Sequence, residues 1–162
     1  MPPYPKHLPD DDPGVRAWRK QAKRIHEKNE RTLCARINQA KMLWVARRFA
    51  DEPCIYFTMS LDFRGRYFYR QPFLNPQGNE ACRALLRFAK GVAITNEDEA
   101  DWLRVHGANV YGMGKHDYRT RVDWVHENQH QIRQVGADPW LRPEFWLKAD
   151  KPWQFLAFCR AY

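Results

Sequence analysis

The densest run of chemically capable residues in this sequence is Asp62-Phe63-Arg64-Gly65-Arg66, followed by Arg70 and Asn75-Pro76-Gln77-Gly78-Asn79. A guanidinium carries its donors in a rigid fork that fits a phosphate, and a glycine between two of them removes the Cβ that would block close approach to a ligand. Asp62 cannot help hold a phosphate. In such a turn it orients one arginine through a bidentate pair, or caps the turn, and leaves the other arginine for the ligand. Phe63, Tyr67, Phe68 and Tyr69 interleave with these charges and are suited to stacking on bases or sugars. Spacing alone leaves a second reading open, a hairpin with solvated arginines and core aromatics, because Arg-Gly-Arg strings are common in basic proteins.

His126-Glu127-Asn128-Gln129-His130 also has the types for chemistry. On a helix its two imidazoles lie one turn apart, as in zinc proteases with the glutamate as general base. Asn128 and Gln129 make the segment polar where such a helix packs on a core, and neither His106 nor His116 sits at a third-ligand spacing. A solvent-facing helix turn is the reading preferred here, with a zinc metalloprotease through His126, Glu127 and His130 as a remote alternative. His106, next to Gly107, reads as a packed or hydrogen-bonded histidine.

The elements that must position these groups read as follows. Residues 1–14 are rich in proline and acid and form a flexible lead-in punctuated by Pro13-Gly14. From Val15 to about Ala50 apolar residues recur at helical spacing (Trp18, Ala22, Ile25, Leu33, Ile37, Ala40, Trp44), predicting one long helix or two with a break near Asn29. Arg16, Arg19, Lys20, Lys23 and Lys28 form a basic stripe on another face, either solvated or turned to phosphates. Cys54–Thr58 predicts a buried strand and Arg66–Arg70 a second one, with a tight turn at Arg64-Gly65. Asn79 predicts the cap of a helix over Glu80–Lys90 with Gly91 just beyond its end. Thr95 and Asp98 predict a capping box for a helix running to about Tyr111. Tyr118–Val135 predicts another helix, broken at Asp138-Pro139, and Pro152 opens a last apolar one. The fold class is α+β, mostly helical, with a small antiparallel hairpin unit.

A formal charge of +8 on 162 residues draws the chain toward polyanions, without choosing among nucleic acid, anionic lipid and acidic protein. Cys34, Cys54, Cys82 and Cys159 form no CxxC pair, which argues against a zinc ribbon or redox motif and predicts reduced thiols. The N-terminus has no apolar signal region and no run approaches the roughly 20 residues that span a bilayer, so a soluble, cytoplasmic protein with no membrane partner is expected. The last residues are still apolar at Tyr162, which predicts that the segment continues elsewhere.

Several runs in order resemble one family. Tyr56-Phe-Thr-Met-Ser-Leu-Asp62-Phe-Arg64-Gly65-Arg66 is similar to the DxxGR segment of single-subunit, bacteriophage-type DNA-dependent RNA polymerases. Phe73-Leu-Asn-Pro-Gln-Gly-Asn79, Leu85-Leu-Arg-Phe-Ala-Lys-Gly91, Trp102-Leu-Arg-Val-His-Gly-Ala-Asn109 and Phe155-Leu-Ala-Phe-Cys159 follow in that family's order, and Ala17-Trp-Arg-Lys20 fits its approach. The Asn-Pro-Gln-Gly-Asn form resembles the phage branch more than the mitochondrial one. The resemblance covers about residues 15–162 and implies part of a right-hand polymerase: residues 15–52 as a helical thumb end, residues 53–162 as a partial palm. It implies that Arg64 and Arg66 hold phosphates of the template and RNA–DNA hybrid, that Asp62 and Gly65 shape the turn, that Arg83 adds a contact, and that Lys20 and Lys23 face the product duplex. It implies Mg2+ and nucleoside triphosphates for the full enzyme only. The metal-binding aspartates of that family are expected beyond Cys159, so this chain alone is expected to be inactive, to bind nucleic acid, and to have a C-terminal polymerase remainder as partner. A phage-infected or prophage-carrying bacterium is the expected setting. A non-catalytic nucleic-acid-binding protein derived from such a polymerase is the alternative.

Overall fold

The computed structural model of the chain describes residues 3–5 and 7–162, in two compact units, Met1–Arg48 and Phe49–Tyr162. The first unit is dominated by one helix, α1 (Pro13–Arg48), with no break at Asn29. A single asparagine costs a helix only about 0.7 kcal/mol, and its neighbours Lys28 and Glu30 are good helix formers. Pro13-Gly14, expected as loop punctuation, is instead the first turn. Asp12 accepts the Gly14 amide at 2.6 Å on its carboxylate and the Arg16 amide at 3.1 Å on its carbonyl, while proline fills the position where an amide would be orphaned anyway. Tyr4 stands edge-on to Trp18 at 5.0 Å and Arg19 pairs with Asp10 at 2.7 Å, tying part of the preceding segment to the helix.

The second unit begins with a hairpin of β1 (Met59–Leu61) and β2 (Tyr67–Tyr69), antiparallel, with Met59 opposite Tyr69 and Leu61 opposite Tyr67. The first strand therefore lies after the expected Cys54–Thr58, which is irregular and has Tyr56 fully in solvent. β-branched and aromatic residues mark a segment that can pair, but the closing turn decides which residues do. Here the pair closes between Asp62 and Arg66, so pairing extends from the turn outward.

α2 (Glu80–Leu85) is capped by Asn79 as expected, through the Cys82 amide at 3.0 Å, but it ends five residues short of Lys90, with Leu86 already extended. α2 buries only Cys82, and Phe88 is 97% exposed, so beyond Leu85 no apolar face rewards another turn. Gly91 is then not a helix-end residue. In α3 (Glu97–Ala108) the reciprocal cap is one residue later than expected: Asn96 accepts the Glu99 amide at 2.8 Å and Glu99 returns to the Thr95 amide at 2.7 Å. Asparagine caps better than threonine, and glutamate has the reach that aspartate lacks. α3 stops at Ala108 rather than Tyr111. A π turn, Asn109–Met113, follows, and the carbonyls of Val110 and Tyr111 accept the Lys151 and Asp150 amides, both at 3.0 Å.

α4 (Tyr118–Ala137) carries the predicted stripe Val122, Val125, Ile132 and Val135, all buried. After a short 3-10 turn at Pro139–Leu141 come α5 (Pro143–Trp146) and α6 (Pro152–Ala161), the latter starting at the expected proline. α4 packs on α3 and α6, and α2 packs on α6. Phe155, Phe158, Phe145 and Trp146 fill the core with Val125, Ile132 and Val135 of α4, and the Tyr111 ring sits 4.5 Å from Trp124 and 4.9 Å from Phe155. The α4–α6 contact is close enough that a Cβ on Gly136 would fall 2.3 Å from the Cys159 carbonyl oxygen. The fold is α+β and mostly helical, as expected. Among the described residues no helix is long and apolar enough to cross a membrane.

Candidate nucleic-acid interface

The turn between β1 and β2 is a three-residue loop, Phe63-Arg64-Gly65. The Asp62 amide donates to the Arg66 carbonyl at 2.9 Å and the Gly65 amide to the Asp62 carbonyl at 3.0 Å. Such a loop needs a left-handed residue at its third position, and Gly65 supplies it with φ of 76°. Asp62 performs both of the tasks that spacing left open. Its Oδ1 accepts the Arg64 and Arg66 amides at 2.8 and 2.9 Å, and its Oδ2 accepts Arg66 Nε and a terminal guanidinium nitrogen at 3.0 and 2.8 Å.

The consequence is a division of labour between two arginines on one turn. Arg66 is held by the carboxylate and lies with Cζ 5.5 Å from the Phe68 ring centre. Arg64 leans on Phe63 at 5.2 Å, and that phenylalanine is 92% exposed. The Arg66 amide above all, then the Arg66 guanidinium and the Arg64 amide, hold the Asp62 carboxyl below its ordinary value against some desolvation. The aromatics are not a core: Tyr67 and Phe68 are exposed, and Tyr69 alone turns inward, edge-on to Phe57 at 5.6 Å. This removes the core aromatics from the second reading, while the arginines stand in solvent as that reading also has them.

Outside the turn, the loop before α2 reaches back. Gln77 donates from Nε2 to the Tyr67 carbonyl at 2.9 Å and accepts the Tyr69 amide on Oε1 at 3.2 Å. From the sequence, Asn75–Asn79 stood out as a run near the turn, with Asn79 as a helix cap, and this reach was missed. The available signal was an Asx turn, Asn75 Oδ1 accepting the Gln77 amide at 2.9 Å, which aims the next long amide side chain in a fixed direction.

The structure gathers Asp62, Arg64, Gly65 and Arg66 in one turn. Arg83 is on another element, exposed in the last turn of α2. Lys20 and Lys23 are exposed on α1, in the other unit, and the stripe there is partly neutralised: Lys23 lies 4.0 Å from Glu27, and Arg19 is paired with Asp10. His126 and His130 are exposed on α4. Among the described residues no three of His, Cys, Asp or Glu converge to hold a metal ion, so the zinc-protease reading finds no support. Asp62 is engaged with two amides and a guanidinium and does not fit a Mg2+ ligand. Of the four cysteines, Cys34 and Cys54 are exposed and Cys82 and Cys159 are buried.

Comparison with known proteins gives this geometry its context. A profile of the DNA-dependent RNA polymerase family matches residues 94–162. The DNA-directed RNA polymerase of Enterobacteria phage K11 is 35% identical over the whole chain, and T7 RNA polymerase of Escherichia phage T7 is 34% identical over the same length. The mitochondrial DNA-directed RNA polymerase of Neurospora crassa is 38% identical over 98% of the chain. The chain spans 18% of the length of the two phage relatives and 11% of the Neurospora one. With motifs, order and full-length similarity in agreement, the chain belongs to the family of single-subunit, bacteriophage-type DNA-directed RNA polymerases.

Proposed function

We propose that this chain is the part of a DNA-dependent RNA polymerase that grips the template strand and the RNA–DNA hybrid, and that it lacks the catalytic aspartates. The observation that carries the reading is the Asp62–Arg66 turn. Its carboxylate is turned onto the chain's own amides and one guanidinium, so the acid opposes no phosphate, while both arginines and Phe63 stand in solvent. Arg64 then contacts phosphates directly and Arg66 contacts them with its remaining donors, in a pose set by Asp62. Arg83 adds a contact to the hybrid. Residues 15–52, with Lys20 and Lys23, are the thumb end facing the product duplex, and residues 53–162 are palm.

Nucleotidyl transfer, with Mg2+ and nucleoside triphosphates, belongs on this reading to the full-length enzyme, whose metal ligands are outside this chain. The chain alone is inactive and works with a C-terminal remainder of the polymerase. The phage-like Asn75–Asn79 loop supports the cytoplasm of a phage-infected or prophage-carrying bacterium as its setting. The test is binding of a fluorescein-labelled RNA–DNA hybrid by anisotropy across a salt series. Arg64→Ala with Arg66→Ala is expected to weaken binding and lower the salt slope by about one to two phosphate contacts. Equal affinity and slope in variant and parent would refute the grip.

A further inference from the structure

We propose that Gln77 is a positioning residue for this interface: its side-chain amide clasps the outer edge of β2 and fixes the pose in which the turn presents Arg64 and Arg66. The inference rests on the reading of that turn as a phosphate grip.

Apart from the Asp62 clamp at its tip and the Gln71–Thr58 hydrogen bond at 2.7 Å at its base, little holds the hairpin. Its strands are three residues long, mostly exposed, and a two-stranded hairpin alone is marginal in water. Along β2, backbone groups alternate in direction. Arg66 and Arg70 face β1, the first through its carbonyl to the Asp62 amide and the second through its amide to the Thr58 carbonyl at 3.1 Å. Tyr67 and Tyr69 therefore face outward. There the Gln77 carboxamide meets the Tyr67 carbonyl with its N–H and the Tyr69 N–H with its oxygen, as the N–H and C=O of one residue in a parallel third strand would.

The clasp is anchored at its other end. The Gln77 amide donates to Asn75 Oδ1, the Gly78 amide donates to the Asn75 carbonyl at 3.0 Å, and Asn75 Nδ2 donates to the Gln71 carbonyl at 2.9 Å, so the backbone at Gln77 is fixed locally. Gly78 lies so close to α2 that a Cβ on it would fall 2.7 Å from Cys82 Sγ. That thiol donates to the Phe73 carbonyl at 2.9 Å, and α2 packs on α6. A continuous set of contacts thus runs from the turn through Gln77 to the helical core. Few side chains fit the position. Asparagine is one methylene too short, glutamate replaces the donor with a second acceptor facing the Tyr67 carbonyl, and alanine removes both bonds.

The experiment uses the whole chain and the same labelled RNA–DNA hybrid, with Gln77→Ala, Gln77→Asn, the double variant Arg64→Ala with Arg66→Ala, and the triple variant. Gln77→Ala is expected to weaken binding about three- to tenfold and to lower the salt slope toward that of the double variant, because the phosphate contacts themselves are misplaced. In the triple variant the Gln77 change is expected to add nothing, the signature of residues acting through one another. Should the alanine variant be unfolded by circular dichroism, Gln77→Asn provides the same comparison. Parental affinity in folded Gln77 variants, or a fully additive loss in the triple variant, overturns the positioning role while leaving the grip intact. Unchanged binding in the double arginine variant overturns the grip, and this inference with it.

Discussion

Asp62 holds Arg66 by backbone and side chain at once: one carboxylate oxygen takes its amide at 2.9 Å and the other takes its guanidinium at 3.0 and 2.8 Å. On the proposed reading, an acid in a cation-rich turn thereby serves the binding of an anion, since its charge is directed at the arginine rather than at the ligand. Charge counting and geometry give opposite expectations for the variant that removes this acid.

Asp62→Asn raises the net charge by one, and simple attraction to a polyanion would tighten binding. The positioning geometry predicts the reverse. The amide keeps one acceptor for the Arg64 and Arg66 amides but loses the carboxylate partner of the guanidinium, so hybrid affinity is expected to fall about three- to tenfold, in line with loss of a charge-assisted hydrogen bond. Anisotropy titration of parent and variant at one salt concentration decides between them.

Two glycine-to-alanine changes are expected to act through different physics. Gly65→Ala meets open space but must hold φ near 76°, a cost of about 1–2 kcal/mol confined to the turn. Gly136→Ala gains up to about 1 kcal/mol of helix propensity but drives its methyl against the Cys159 backbone at 2.3 Å, which cannot swing aside. Net destabilisation of about 1–3 kcal/mol is expected there. Thermal denaturation should show a clear loss for Gly136→Ala, while Gly65→Ala should chiefly reduce hybrid binding.

The cysteines are expected to divide two and two. Burial pushes the Cys159 thiol up to about 12, and Cys82 is buried against Phe73, whereas Cys34 and Cys54 are exposed. Mass spectrometry after brief iodoacetamide treatment of the native chain should find alkylation at Cys34 and Cys54, and at all four only after denaturation. Early modification of Cys159 would contradict the α4–α6 packing.

Stability should respond to mild acid through His106. Desolvation first, and the Lys151 ammonium second, pull its pKa below the ordinary 6.5, so the fold favours the neutral ring. That contribution is complete above 6.5 and is lost as pH falls through the lowered value. Asp62 is also shifted down, but its contribution is complete above the ordinary 3.8 and fades only below it, so it does not act in the same window. Because His106 is exposed on α3, rather than packed or hydrogen-bonded as its sequence context suggested, the effect should be small: the melting temperature should fall slightly between neutral pH and pH 5 in the parent and less so in His106→Gln.

What was legible in the sequence followed from local chemistry. Gly65 between two arginines required a turn, the four aliphatic positions of α4 required one buried face, and Pro152 marked a helix start, all visible in residue type and spacing. The misses arose where one element answers to another. β1 formed at Met59–Leu61 because pairing grows outward from Asp62 and Arg66, which a strand propensity over Cys54–Thr58 does not register. α2 ended at Leu85 because the residues from Arg87 to Lys90 are exposed and present no buried face, although Leu86, Arg87 and Ala89 are good helix formers. Within the site, the roles open to Asp62 were readable from charge and proximity. Gln77 was not, because its partners lie eight and ten residues back and its reach is set by Asn75.

The clasp on β2 has a consequence for life in a crowded cell. A strand edge with open amides and carbonyls is a template on which another chain can add a strand, the first step of edge-to-edge aggregation. By occupying the Tyr67 carbonyl and the Tyr69 amide, Gln77 blocks the middle of that template with a side chain of the same molecule. Exposed Tyr67 and Phe68 then sit beside an edge on which a neighbour's ladder of hydrogen bonds would be interrupted.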